Sequence, residues 1–143
     1  MSQSSKLPVW FWILAALALV WNLLGVFAYI QQMTISDEAL AALPAAERAL
    51  YDAYPAWAAA AFAVAVFGGA AGCALLLLRN KLAIPVFGAS LAGIAVQMVH
   101  SLFIANSVAV YGPGAAIMPV MIVVISAALL WWSMQLKAKG WIG

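Results

Sequence analysis

Four apolar runs, each long enough to cross a bilayer as a helix, leave this chain little choice of fold class. They cover about 10–30, 57–78, 82–105 and 115–135 of the 143 residues, and about 20 consecutive apolar residues suffice for one crossing. Barrel strands would be about ten residues of alternating polarity, and no stretch alternates that way. Only 7% of the residues are charged, against about 25% in a soluble domain, so the chain cannot build a water-facing surface. The expectation is an all-α polytopic membrane protein, one domain over 1–143, with a short helical outer loop at 31–56. The first run is no cleavable signal peptide, because it exceeds the roughly 7–15 residues of a signal core and no small-x-small site follows.

Charge distribution predicts orientation. Lys6 precedes the first run, Arg79 and Lys81 separate the second from the third, and Lys137 and Lys139 follow the fourth. All four acids, Asp37, Glu38, Glu47 and Asp52, lie after the first run with Arg48. Lys and Arg in short loops stay cytoplasmic, so both termini are expected inside and the acidic loop outside. Tyr29, Tyr54, Trp57 and Tyr111 at the outer ends fit an aromatic belt, as do Trp10, Trp12, Trp131 and Trp132 at the inner ends. Trp141 is expected in a short tail that hugs the interface.

The outer loop reads as two short helices. Ser36 suits an N-cap with Asp37 and Glu38 in the first turn. Pro44 suits the start of a second helix, which must stop near Tyr54 because Pro55 follows. Leu43, Leu50 and Tyr51 give this unit a mixed apolar face, expected either to cap the bundle or to dock a partner. Tyr111-Gly112-Pro113-Gly114 predicts a tight turn between the third and fourth runs.

Small residues mark the packing faces. Gly68 and Gly72 form a GxxxG on the second helix, and Ala89 with Gly93 offers a similar strip on the third. Small residues four apart let membrane helices approach closely.

The segment Gln97-Met98-Val99-His100-Ser101 interrupts the hydrocarbon. Gln97, His100 and Ser101 are three and four apart and share one helix face. Asn106 and Ser107 continue that polar trail outward. Counted at about 1.5 Å per residue from the helix starts, Asn22 of the first run lies level with Gln97. Intramembrane polar residues face the bundle interior or a water-filled cavity. The stripe is therefore either interhelical glue or the lining of a solute site formed by Asn22, Gln97, His100, Ser101 and Asn106. His100 as an axial ligand to haem or a chlorin is the weakest reading, since it has no second histidine.

Several chemistries are disfavoured. No Asp or Glu lies within a run, which argues against a carboxylate-driven exchanger. His100 and Ser101 point about 100° apart on a helix and form no nucleophile–base pair. Cys73 is the sole cysteine and His100 the sole histidine, so neither an intramolecular disulfide nor an all-protein metal cluster is expected. No enzymatic activity and no cofactor are expected.

The stretches WNLLGVFAY, AVFGGAAGCALLLLRNK, YGPGAAIMP and the closing KAKGWIG together resemble an uncharacterised family of small four-helix bacterial inner-membrane proteins. Members often carry a sugar-transporter label. The resemblance implies that architecture, a bacterial inner-membrane location and sugar-like cargo, with no assigned site residues. VWNLLGVF overlays VQMVHSLF loosely, without establishing an internal repeat.

The leading expectation is a transporter or channel-like protein for a small neutral polar solute, homo-oligomeric and embedded in the lipid bilayer, with no nucleic-acid partner. The alternative is a non-catalytic accessory or assembly subunit of a larger membrane complex. The orientation is directly testable in a Cys73→Ala background. Ser36→Cys should react with an impermeant maleimide added to intact cells, and Lys137→Cys only after permeabilisation. The opposite labelling pattern would invert the topology.

Overall fold

The computed structural model describes residues 7–143, apart from the side chain of Ala115. Lys6, counted above among the basic flanks, lies outside the described residues. The long helices are α1 (Val9–Met33), α4 (Ala56–Leu77), α5 (Ala83–Met98) and α7 (Ile117–Ala138). Two short helices, α2 (Asp37–Ala41) and α3 (Ala45–Asp52), form the loop after α1. A π-helical segment, Val99–Ile104, extends α5, and α6 (Ser107–Tyr111) with a 3-10 turn at Pro113–Ala116 leads into α7. No strand occurs among the described residues. Four helical stretches are long and apolar enough to cross a membrane, the architecture of a small multi-pass integral membrane protein.

Local chemistry sets the ends of these elements. The Ser36 hydroxyl accepts from the Ala39 amide at 3.0 Å and caps α2, as its sequence context predicts. Pro44 stands one place before α3 rather than within it, and its carbonyl accepts the Arg48 amide at 3.0 Å. At the other end of the molecule α4 and α7 close in the same way. Arg79 adopts φ 58° and Gly140 φ 77°. After α4, the Arg79 and Asn80 amides bond back to Leu76 and Leu75; after α7, those of Gly140 and Trp141 bond to Lys137 and Leu136. These are Schellman closures. Arg79 takes a left-handed conformation that costs a non-glycine residue about 1–2 kcal/mol. Its Nε donates to the Trp141 carbonyl at 2.9 Å, and its own carbonyl accepts the Gly143 amide at 3.0 Å.

The tail therefore differs from the expected interface-hugging segment. It turns under the bundle, where Ile142 joins a core of Phe11, Cys73, Leu76, Phe87, Leu129 and Leu136. The Trp141 ring lies 5.5 Å from Trp10 and 6.3 Å from Phe11. Folding back satisfies the Leu136 and Lys137 carbonyls of α7, buries Ile142 and half-buries Trp141.

α4 and α5 form the central pair, with α1 docked on α4 and α7 on α5. Gly93 sits so close to α4 that an added Cβ would fall 2.8 Å from the Ala61 carbonyl oxygen. At Gly68 it would meet the Ser90 Cβ at 3.1 Å, and at Gly72 the Phe87 ring at 2.6 Å. Inside this contact the Ser90 hydroxyl donates to the Ala65 carbonyl at 2.6 Å. An interhelical bond of this kind contributes about 0.6–2 kcal/mol in a membrane. Ala89 corrects the expected strip on α5: it is exposed. It stands about 100° around the helix from Ser90, and the face turned to α4 is Phe87, Ser90 and Gly93. Above the aromatic base, α1 and α7 leave an apolar groove of about 450 Å³ between them, walled by Leu14, Leu17, Trp21 and Trp131 among others.

The glycine contacts differ in how far they can yield. Gly93→Ala presses on backbone and should destabilise the fold by about 1–3 kcal/mol. Gly88→Ala meets nothing within 4 Å and should be neutral or slightly stabilising on helix propensity. Reversible unfolding in mixed micelles compares the two, and equal effects would show that the α4–α5 contact is not limiting.

Candidate functional site

At the acidic-loop end, the α5 backbone changes character where the polar residues begin. The Ala105 amide bonds to the His100 carbonyl at 2.7 Å, five residues back. Asn106 then turns the chain with φ 51°, and α6 folds back so that the Ser101 and Ser107 hydroxyls lie 3.1 Å apart. π-turns inside α-helices are rare and gather at functional sites. This one carries His100 inward until only 5% of its surface is exposed.

Aromatic rings wall the imidazole. Tyr54 lies edge-on at 5.1 Å and Trp57 at 5.4 Å between ring centroids. The Tyr54 hydroxyl donates to Gln97 Oε1 at 2.7 Å, with the Ala58 carbonyl a longer acceptor at 3.3 Å. Tyr54 thus ties the acidic loop to α5. Burial raises its phenol pKa above the ordinary 10.0, opposed by its side-chain hydrogen bonds with Gln97 and Gln32. It therefore remains a donor throughout the neutral range. Its contribution to stability is fully present below pH 10 and lost as pH rises through the folded value. Burial likewise raises Tyr111, and the Glu47 carboxylate adds to that shift.

Between these groups lies a partly open cavity of about 140 Å³. α5 and its π-helical extension contribute Gln97, His100 and Ser101, and α6 contributes Ser107 and Tyr111. Gln32 reaches it from α1, Leu50 and Tyr51 from α3, and Tyr54 from the turn that follows. Every polar lining side chain is formally neutral. His100 Nδ1 is enclosed and has no hydrogen-bond partner. An unsatisfied buried polar atom of this kind costs about 1–3 kcal/mol.

Three of the five residues expected at a solute site, Gln97, His100 and Ser101, meet in this cavity. Asn106 is exposed at the turn and shapes the rim without lining it. Asn22 lies elsewhere. Its amide donates to the Ala18 carbonyl at 2.9 Å and to Cys73 Sγ at 3.4 Å, at the contact with Gly69. Gly69 and Cys73 are within about 12 Å of the basic end of α4, whereas Asn22 is about 20 Å along α1. α1 therefore starts about 10 Å below the basic end of α4, and equal counts from the helix starts do not mean equal depth.

Leu50 and Tyr51, expected to dock a partner, belong to the cavity wall, while half-buried Leu43 does not line it. Gln32, Tyr54 and Tyr111 were not among the expected site residues. The tyrosines read as belt residues, and only the spacing of Leu50, Tyr51 and Tyr54 hinted at one inward face. Among the described residues no group of three or more His, Cys, Asp or Glu side chains is placed to hold a metal ion.

Comparisons with protein-family models, curated proteins and solved structures returned no match.

A double-mutant cycle with Tyr54→Phe and Gln97→Leu should give a coupling of about 0.5–1.5 kcal/mol. Its magnitude should be unchanged from pH 6 to pH 9 because the phenol stays protonated. Additive effects would show that the loop is not tethered through this bond.

Proposed function

We propose that this chain is a bacterial inner-membrane protein that binds a small neutral polar solute in the loop-end cavity, as part of a transporter or channel-like assembly. The observation that carries the reading is the His100 imidazole, nine-tenths buried against a cavity lined by uncharged hydrogen-bonding groups. Asn22 and Ser90 are paired with groups of the protein itself, whereas His100 Nδ1 has no partner. Membership of the four-helix family with the sugar-transporter label is proposed on the same footing.

Below the cavity Gly93 lies against α4 backbone, leaving little space for a solute between α4 and α5. Passage through the membrane then requires either movement of these helices or a path between copies, so a homo-oligomer is proposed. The second reading, an accessory subunit of a larger complex, loses two docking residues to the cavity wall and retains Leu43 and the exposed acids of α2.

Liposomes containing the purified protein should admit uncharged polyols, and native mass spectrometry should show copies of this chain alone. Ser101→Val, which narrows the cavity without touching the Tyr54–Gln97 bond, should slow flux at least tenfold while leaving the unfolding midpoint nearly unchanged. A stoichiometric foreign subunit together with no flux would favour the accessory reading.

A further inference from the structure

The size and hydrogen-bonding character of the cavity narrow its ligand beyond "neutral and polar". An engineered cavity of about 150 Å³ in another protein holds benzene, a ring of about six heavy atoms. The cavity here is about 140 Å³. A hexose, with about twelve heavy atoms, exceeds that scale about twofold. On its Tyr54 side the space is fixed by the hydrogen bond of that residue to Gln97 at 2.7 Å.

The polar groups are committed unevenly. Gln97 Oε1 already accepts from Tyr54, so the unused half of that side chain is its NH2 donor. Ser101 and Ser107 share one hydrogen bond, which leaves one hydroxyl proton free. His100 Nδ1 is enclosed without a partner, whereas Nε2 is not. A proton on the enclosed Nδ1 would be an orphaned donor, so the Nε2–H tautomer is the one that leaves the donor free to bond. The cavity therefore offers at least three donors and no fixed charge to a ligand.

We infer that the cavity selects a three-carbon polyol, a compact uncharged molecule of about six heavy atoms whose oxygens accept from His100 Nε2–H, the Gln97 amide and a serine hydroxyl. This rests on the solute-binding reading above and specifies its substrate class. A hexose, by contrast, would leave about half of its atoms outside the cavity. Millimolar affinity is expected of so small a ligand and lies well within the per-atom ceiling on binding energy.

His100 is the sole histidine, so 15N-histidine labelling of the full chain in nanodiscs yields one imidazole to follow. At neutral pH the nitrogen shifts should show the Nε2–H tautomer. Glycerol should move them with saturation in the millimolar range, erythritol at least fivefold more weakly, and glucose not at all. Ser101→Val should abolish the glycerol response and preserve that of ethylene glycol. Gln97→Asn, which retains an amide but withdraws it, should weaken glycerol at least threefold. Saturation by glucose at or below the glycerol concentration overturns the size assignment while leaving a solute site in place. An Nδ1–H tautomer or an imidazolium overturns the donor assignment. No saturable response to any of these solutes overturns both this inference and the solute-binding reading.

Discussion

The near-contact of α4 with α5 is the constraint on which the other placements rest. Gly93 brings backbone against backbone, Gly68 and Gly72 admit Ser90 and Phe87, and the Ser90 hydroxyl is consumed by the Ala65 carbonyl. Between lipid-facing helices there is no hydrophobic drive to association, so close van der Waals approach and a few interhelical hydrogen bonds must supply it. With that pair tightly joined, α1 and α7 dock on its two flanks and are closed together only at the base. There Phe11, Trp132 and Trp141 meet.

The same contact divides the polar residues of the interior into two populations. Where the helices touch, Asn22 and Ser90 are satisfied by groups of the protein itself. Beyond Gly93 and the close backbone contact, the π-turn carries His100 inward, and the acidic loop covers it with tyrosines. There Tyr54 and Gln97 hold each other, while His100 Nδ1 has no partner. One polar stripe thus serves as glue at one depth and as cavity wall at another. The choice between those roles is made by helix separation.

The loop after α1 gains its meaning from this division. Leu50, Tyr51 and Tyr54 turn inward over the cavity, while Asp37, Glu38 and Asp52 remain exposed. Any solute must pass or displace this unit. The unit in turn is anchored by Tyr54, one residue before the proline that starts α4.

By itself the amino-acid sequence determined the number of long helices, their approximate bounds and the Ser36 cap, because apolar run length and capping chemistry are local properties. It also determined that Gln97, His100 and Ser101 share a face, which follows from helix periodicity alone. Three features were decided only in the tertiary structure: the axial offset that takes Asn22 from the level of Gln97 to that of Ser90, the rotation that turns Ala89 outward, and the inward face of the loop. Each is a relation between helices rather than within one. Composition is almost uniformly apolar along and around the spans, so it contains no signal for how far one helix slides or turns against another. That was resolved by where backbones can touch and by which hydroxyls and amides find partners when they do.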